Sequence, residues 1–379
     1  MGILLVFILV CFLIGNAYIF IRALETIKRV HWIVKVVFGI IFWVLALQLF
    51  IVMALRNTNL PEFLPKIMFG IGTTWMVFVL YMTLTLLCVD IVKRLFLRNL
   101  RHSFLIALGI TAAILTGGYI NNLTPRVETI EIKLDKPLKG TTTIVAVSDL
   151  HLGYGTGKEK LKKFVRMINE QNPDLIIIGG DLIDNSLIPL YNEKMDEELR
   201  ELRAPMGIYM APGNHEYISG IEESYRFLES TPIKMLADSV VTLPNGLQLI
   251  LRDDKHKYRD SKSNSSLEYL MSKVDKERAS FLVEHQPIQL SQIDKEKIDI
   301  VFCGHTHHGQ IWPGNIATDI IFEQSHGYRK WSHSHIAVSS GLSLWGPPIR
   351  IGTKSDMIVF KVSGSSPRLR AIANRPYTQ

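Results

Sequence analysis

The first 125 residues contain four apolar stretches, each about as long as the helix needed to cross a lipid bilayer. The stretches cover residues 3–21, 32–55, 67–89 and 104–120. Four buried helices of a soluble bundle are the alternative, but helices of that kind carry a polar face and these stretches do not. The sequence therefore predicts a transmembrane region of four helices over residues 1–125, followed by one domain over residues 126–379.

Basic residues are distributed unevenly among the loops that connect these stretches. They concentrate around the first and third loops, at Arg22, Lys28, Arg29, Lys35, Lys93, Arg94, Arg98 and Arg101, whereas the second loop has only Arg56 and Lys66. Because Lys and Arg favour cytoplasmic loops, the first and third loops are predicted to face the cytoplasm. The domain at 126–379 would then lie outside the cytoplasm. In a bacterium this means the periplasmic or extracellular side of the inner (plasma) membrane.

The positive net charge belongs to the apolar region and not to the domain that follows it. The chain has a formal charge of +7, but residues 126–379 contain 32 basic and 32 acidic side chains. A domain that binds the backbone of a nucleic acid needs a basic surface of its own. We therefore expect no nucleic-acid partner, while the sequence gives no indication of protein partners.

Five polar motifs of the second region each end or follow a short apolar run. The runs are 143–148, 175–178, 207–211, 281–284 and 298–303. The motifs are Asp149-Leu-His151, Gly180-Asp181, Gly213-Asn214-His215-Glu216, His285 and Gly304-His305-Thr306-His307. Short runs of this composition are typical of buried strands, and α/β sheets form their sites where such strands end. The motifs are therefore predicted to meet in one site.

The residue types in these motifs indicate metal binding. Seven of them offer nitrogen or oxygen ligands, namely Asp149, His151, Asp181, Asn214, His285, His305 and His307. Seven ligands exceed what one four-coordinate ion needs, so two divalent ions fit better than one. Imidazole mixed with carboxylate, without thiolate, favours Zn, Mn or Fe, with Mg as a further possibility. Two neighbouring cations commonly promote displacement at phosphorus.

The ordered set of five motifs resembles the calcineurin-like metallophosphoesterase superfamily, over about 129–362. The resemblance implies a four-layer αββα sandwich. It also implies that Asp149, His151, Asp181 and His307 hold the first metal, and that Asp181 bridges to a second metal held by Asn214, His285 and His305. His215 would lie beside the scissile phosphate as a catalytic residue, and Glu216 would orient it.

The segment 339–352 is similar to the bacterial membrane-associated branch related to UDP-2,3-diacylglucosamine hydrolases. Together with the four helices, the motifs predict a membrane-anchored metal-dependent phosphoesterase acting on a phosphoester, more specifically a phosphodiester. We expect this substrate to be a cell-envelope lipid or a related amphiphile, because four helices exceed what anchoring needs and the formally neutral domain gives no reason to expect a polyanion. A phosphomonoesterase and an envelope-binding protein with weak catalysis are the alternatives. The chain departs from the branch at 353–356, where relatives carry a proline-rich turn and an acidic residue.

Three groups of residues near the motifs allow two interpretations each. His308 is either a substrate contact or a loop histidine, and Asp184 is expected to cap the next helix rather than to contact water on a metal. Four aromatic residues either line a substrate pocket or pack in the core: Trp312, Tyr328, Trp331 and Trp345.

Alternating residues predict a strand at 127–134, and helices are expected at 158–169, 193–203, 222–230 and 267–274.

Overall fold

A computed structural model of the chain describes residues 2–54, 61, 63–98, 100–255 and 267–365. The chain forms two compact units. The first comprises Met1–Leu123 with Gly346–Ile351, and the second comprises Thr124–Trp345 with Gly352–Gln379.

The first unit contains the four predicted helices. They are α1 (Gly2–Thr26), α2 (Trp32–Ala54), α3 (Phe63–Leu95) and α4 (Ser103–Asn122). Each is long and apolar enough to cross a membrane. Many large apolar side chains point outward, including Phe7, Trp32 and Ile40, which are each more than 60% exposed. Because soluble proteins rarely expose contiguous apolar surface of this extent, the helices suit a lipid environment.

A small core and an ion pair between α1 and α3 contribute to holding these helices together. Ile19, Phe42, Met82 and Leu86 are buried in the core. On α1, Arg22 donates to the Asp90 carboxylate of α3 at 2.6 Å. Charged groups in apolar segments are stable when they are paired in this way.

The segment Gly346–Ile351 packs on α4 and belongs to the first unit, although it follows most of the second unit in sequence. The Arg350 N–H donates to the Gly118 carbonyl at 3.1 Å, and the Asn121 amide donates to the Arg350 carbonyl at 3.0 Å. A Cβ at Gly118 would lie 2.6 Å from Ile351 Cγ1. Glycine is therefore what permits this close approach.

The second unit contains two six-stranded sheets. The first has the order β1-β12-β2-β3-β4-β5, and the second has the order β10-β11-β9-β8-β7-β6. The strands of the first sheet are β1 (Arg126–Pro137), β2 (Thr141–Val147), β3 (Leu175–Ile178), β4 (Ile208–Met210), β5 (Ile233–Met235) and β12 (Asp356–Ser365). Those of the second are β6 (Ser239–Thr242), β7 (Gln248–Leu251), β8 (Ser280–Val283), β9 (Ile300–Cys303), β10 (Gly327–Lys330) and β11 (His335–Val338).

Alternating side chains of the strands build three separate apolar layers. In β2, Val145 and Val147 face one cluster that includes helical residues, whereas Ile144 and Ala146 face a cluster shared by the two sheets. The outer face of the second sheet packs on a third cluster with its own helices. Because a strand directs successive side chains to opposite faces, this arrangement gives helix, sheet, sheet and helix layers. The predicted αββα sandwich is confirmed.

The remaining helices lie in the connections of this unit. They are α5 (Lys158–Asn169), α6 (Ile188–Asn192), α7 (Met195–Leu199), α8 (Asn214–Ser219), α9 (Ile221–Leu228), α10 (Leu267–Met271), α11 (Leu290–Lys295) and α12 (Gly314–Ile321). A 3₁₀ turn covers His307–Gly309. The helix expected at 193–203 is shorter in the structure, because α7 begins only after Lys194, which has a left-handed φ of 49°, and ends at Leu199.

Candidate metal centre

The five motifs lie at the carboxyl ends of strands in both sheets. Asp149 and His151 follow β2, Asp181 follows β3, and Asn214 begins α8 after β4. From the second sheet, His285 follows β8, whereas His305 and His307 follow β9. All seven predicted ligands therefore approach the same place from different loops, as expected where parallel strands end.

Three ligands form a first buried group. The Nε2 atoms of His151 and His307 are 3.0 Å apart. Asp149 Oδ1 lies 3.5 Å from His307 Nε2 and 3.8 Å from His151 Nε2. Two imidazole nitrogens and a carboxylate oxygen thus surround one point.

The other predicted ligands form a second group around His285. Its Nε2 lies 3.2 Å from Asp181 Oδ2, 3.2 Å from Asn214 Oδ1 and 3.2 Å from His305 Nδ1. The other ring nitrogen, Nδ1, is 2.7 Å from the Gly179 carbonyl, to which it donates. This hydrogen bond fixes the ring and leaves the lone pair of Nε2 directed at the other three ligands.

Asp181 connects the two groups. Its Oδ2 atom is 3.2 Å from His285 Nε2 and 3.8 Å from His151 Nε2. Its Oδ1 atom accepts the His215 backbone N–H at 2.9 Å. The arrangement can therefore hold two cations with one carboxylate between them.

The histidines keep the buried carboxylates ionised. Burial would raise the pKa of Asp149, but His307 and His285 bring this pKa below its ordinary value. Burial would also raise the pKa of Asp181. His285 opposes this effect most strongly, through its charge and its hydrogen bond, so that the pKa of Asp181 is lowered as well. Anionic oxygens beside imidazole nitrogens are the donors that divalent transition metals prefer, so the residues fit a dinuclear centre.

The backbone around the ligands is unusual. Five predicted ligands have left-handed φ values, namely Asp149 (54°), His151 (45°), Asp181 (51°), His305 (73°) and His307 (47°). Non-glycine residues rarely adopt this conformation, and such strain concentrates at functional sites. The left-handed backbone of these five residues therefore indicates that the loops are shaped by the site that their side chains form.

Two glycines allow the carboxylates to approach the neighbouring backbone. A Cβ at Gly213 would lie 2.2 Å from Asp181 Oδ1, and a Cβ at Gly304 would lie 2.4 Å from Asp149 Oδ2. Either contact is shorter than the atoms can tolerate. The glycines of these two motifs are therefore needed for ligand placement.

His215 lies beside the first group, and Asp184 supports it. The rings of His215 and His151 are 4.6 Å apart, and His215 Nδ1 is 3.3 Å from Asp184 Oδ1. Burial lowers the pKa of His215, but the hydrogen bond that this ring donates to Asp184 and the charge of nearby carboxylates raise it above the ordinary value. Because α6 begins only at Ile188, the expectation that Asp184 caps the next helix is wrong.

Glu216 has other partners than the sequence led us to expect. Its carboxylate accepts the backbone N–H groups of Gly213 at 2.8 Å, Asp181 at 3.0 Å and Ile183 at 3.0 Å. Asp184, rather than Glu216, contacts the ring of His215. Glu216 thus holds two ligand loops together. The only sequence signal for Asp184 was its spacing of three residues from Asp181.

The residues with two interpretations fall into different places. Trp345 lies with its ring 6.2 Å from that of His215 and is 53% exposed. Trp331 packs against the core of the second sheet, and Tyr328 Oη is 2.7 Å from His335 Nδ1. His308 is not one of the seven predicted ligands, and its Nε2 atom lies 3.6 Å from Asp319 Oδ1.

Comparisons with known proteins agree with this chemistry. Residues 142–309 match the family described as calcineurin-like phosphoesterase. A metallophosphoesterase of Campylobacter jejuni is 29% identical over 377 residues, which cover 94% of this chain and 97% of that protein. A transmembrane protein with a metallophosphoesterase domain from Danio rerio is 32% identical over 66% of this chain and 61% of its own length.

A solved dimetal phosphatase from Danio rerio superposes with a TM-score of 0.35 and 11% identity, over 54% of this chain and 88% of that chain.

Proposed function

The chain carries a calcineurin-like metallophosphoesterase domain, and we propose that it is a membrane-anchored enzyme that hydrolyses a phosphodiester of a cell-envelope lipid or a related amphiphile. The observation that carries the proposal is the position of Asp181 between two ligand groups, 3.2 Å from His285 and 3.8 Å from His151. A carboxylate shared in this way can hold a pair of neighbouring cations, as two-metal hydrolysis needs.

Each ligand has a place in this proposal. Asp149, His151 and His307 would hold one ion, and His285, His305 and Asn214 would hold the other, with Asp181 shared. When bound, two divalent cations neutralise charge on the phosphoryl oxygens and make water a stronger nucleophile. Mn, Zn or Fe suits these donors, and Mg is also compatible.

His215 supplies the proton that the leaving oxygen needs. Its Nδ1 faces Asp184 at 3.3 Å, so Nε2 is the nitrogen available to the substrate. Since the Asp184 contact and nearby carboxylates raise the pKa of this ring, the protonated form extends to higher pH. A positioned general acid of this kind contributes about 10²- to 10⁴-fold in rate.

The four apolar helices support the membrane location. By the distribution of basic residues, the first and third loops face the cytoplasm, and the catalytic domain lies on the periplasmic or extracellular side of the inner membrane of a bacterium. A diester carries less negative charge than a monoester dianion, which suits a domain with equal numbers of acidic and basic residues.

Apolar surface beside the metal centre supports an amphipathic substrate. Helix α12 has no buried side chain, and Ile316, Ile320 and Ile321 are 48%, 80% and 71% exposed. The helix starts at Gly314, whose backbone is so close to Gly309 that a Cβ on Gly309 would lie 2.1 Å from it. Because Gly309 ends the turn that carries His307, α12 is held next to a predicted ligand, where it can contact acyl chains.

The test compares two substrates with the full-length protein in detergent, loaded with Mn²⁺ or Zn²⁺. We expect hydrolysis of both a detergent-dispersed lipid phosphodiester and a small chromogenic phosphodiester, each faster than the matching monoester. Substituting Ile320 and Ile321 by serine should lower kcat/KM for the lipid but not for the chromogenic compound. Tyr269→Ser, which removes an aromatic side chain 52% exposed on α10, is the control.

Three outcomes separate the parts of the proposal. Absence of turnover with any metal would contradict the enzyme assignment for this chain and favour a binding protein. Faster hydrolysis of monoesters than of diesters would show that the protein is a phosphomonoesterase and not a phosphodiesterase. Equal effects of the α12 and Tyr269 variants on the lipid substrate would leave α12 without a role in substrate binding.

A further inference from the structure

A second cluster of potential ligands lies outside the seven residues discussed above. His308, in the 3₁₀ turn, meets Asp319 of α12 and His326, which directly precedes β10. One ligand atom from each of the three residues lies within 4.8 Å of the other two. His308 Nε2 is 3.6 Å from Asp319 Oδ1, and the rings of His308 and His326 stack with centroids 3.4 Å apart.

We propose that His308, Asp319 and His326 form a third metal site that binds one divalent transition ion such as Zn²⁺. Two imidazoles and one carboxylate are a frequent ligand set of zinc sites that keep a position open for water. Asp319 and His326 are exposed at the surface, so an ion reaches them from solvent without passing through the dinuclear centre.

Neighbouring hydrogen bonds hold two of the three ligands in place. The Asp319 carboxylate accepts a hydrogen bond from the Ser325 hydroxyl. The Ser325 carbonyl accepts from Thr306 Oγ1 at 2.6 Å, and the same Thr306 oxygen accepts the His308 N–H at 3.1 Å. Thr306 thereby connects the loop of His308 with the loop that precedes His326. Such support of ligands by a surrounding hydrogen-bond network is characteristic of metal sites.

The ring stacking shows that one of the two histidines must rotate before both can bind the same ion. The planes of His308 and His326 differ by only 10°, so their nitrogen lone pairs run side by side and do not converge on one point. Rotation of the exposed His326 ring about its side-chain bonds would direct a nitrogen towards Asp319. The His308 side chain is only 12% exposed, whereas His326 is exposed, so His326 is the adaptable ligand.

An ion at this site would influence the dinuclear centre through the backbone. His307, a predicted ligand of the first group, and His308 are consecutive residues of the same turn. An ion held by His308, Asp319 and His326 would restrain this turn. His307 would then lose less conformational freedom when it binds its own metal. Occupancy of the third site should therefore tighten binding at the first group.

Metal titration of the full-length protein in detergent tests the proposal. After chelation and reloading with Zn²⁺, elemental analysis should give three ions per chain for the wild type and two for His326→Ala and for Asp319→Asn. Titration with Co²⁺, followed by visible absorption, should show one spectral component missing in both variants. His333→Ala is the matched control, because His333 also pairs with an aspartate, Asp294 at 3.5 Å, but belongs to none of the three-ligand clusters among the described residues.

The outcomes distinguish this inference from the proposed enzyme activity. Two ions per wild-type chain with normal phosphodiester turnover would overturn the third site and leave the enzyme proposal intact. Three ions in both variants would also overturn it, since the extra ion would then bind elsewhere. Loss of one ion in His333→Ala as well would show that the extra ion depends on surface histidines in general, and the assignment would fail.

Discussion

Asp184 Oδ1 lies 3.3 Å from Nδ1 of His215, so a buried carboxylate holds the imidazole that would face the substrate. Burial raises the pKa of Asp184, but hydrogen bonds and charge from His151 and His215 bring this pKa below its ordinary value. The carboxylate is therefore ionised throughout the neutral range, where it fixes the ring and favours its protonated form.

Asp184→Asn should lower kcat by about 10- to 100-fold, because it removes the partner that orients His215 and stabilises its positive charge. Without this anion the pKa of His215 falls, and the ring loses its proton at lower pH than in the wild type. If His215 acts as the general acid, the alkaline side of the kcat profile must move to lower pH. Measuring kcat against pH for a chromogenic phosphodiester checks this shift.

Asp184→Glu serves as the control, since it retains the negative charge with a longer side chain. Partial recovery of the alkaline side of the profile is expected. A profile of Asp184→Asn that coincides with that of the wild type would rule out the proposed role of the Asp184–His215 pair.

Asp181→Ala should remove both ions of the dinuclear centre, because this carboxylate connects the two ligand groups. His305→Ala, by contrast, affects only the second group, in which His305 Nδ1 lies 3.2 Å from His285. Elemental analysis after reloading should therefore show two ions fewer per chain for Asp181→Ala and one fewer for His305→Ala. Loss of a single ion in both variants would contradict the shared role of Asp181.

Gly213→Ala should weaken metal binding by about 10-fold or more, as expected when a ligand is displaced by its surroundings. The new methyl group would lie 2.2 Å from Asp181 Oδ1 and would push this ligand out of position. Gly109→Ala is the control, since no atom lies within 4 Å of a Cβ built there. Metal affinity measured by competition with a fluorescent chelator should separate the two variants, and equal affinities would show that the Gly213 contact is unimportant.

Cysteine labelling should place Glu25 and Glu229 on opposite sides of the membrane. Both side chains are exposed, Glu25 beside the first loop and Glu229 after α9. In a variant without Cys11, Cys88 and Cys303, an impermeant maleimide should label Glu229→Cys in intact cells and Glu25→Cys only after permeabilisation. The reverse pattern would place the catalytic domain in the cytoplasm.

His335 should make the protein less stable in acid. Burial, with help from Lys330, lowers its pKa to about 4 from an ordinary 6.5. Between these values the unfolded chain binds a proton that the folded chain does not, so stability falls as pH decreases through this window. In His335→Asn, the drop of Tm between pH 6.5 and pH 4 should be smaller than in the wild type. A drop of the same size would show that other groups cause the acid sensitivity.

Local patterns were sufficient to predict most of the fold. The run at 158–169 coincides with α5, where Leu161, Phe164, Val165 and Ile168 form one apolar face. The strand expected at 127–134 lies within β1, at an edge of the first sheet. The break between α6 and α7 was not predictable, because it depends on a left-handed residue, Lys194, whose side chain gives no sign of it.

Residue types identified the predicted ligands, but not the contacts that support them. Asp149, His151 and Asp181 stand out because carboxylate and imidazole groups follow apolar runs at short spacing. The partner of His215 is instead decided by how the loop after β3 folds back. Asp184 and Glu216 are both acidic and both near a motif, and only three-dimensional contacts show that Asp184 meets His215 while Glu216 binds backbone N–H groups. Similarity to UDP-2,3-diacylglucosamine hydrolases remains a prediction.

Because the predicted ligands come from two different sheets, bound metal would stabilise the folded domain. Asp149 and His151 extend from the first sheet towards His307 of the second, and Asp181 extends likewise towards His285. Each bound ion would therefore act as a cross-link between the two halves of the sandwich. At a free metal concentration 100 times the dissociation constant, one such ion adds about 2.7 kcal/mol to the free energy of unfolding. Metal supply would then govern the lifetime of the folded domain as well as its activity.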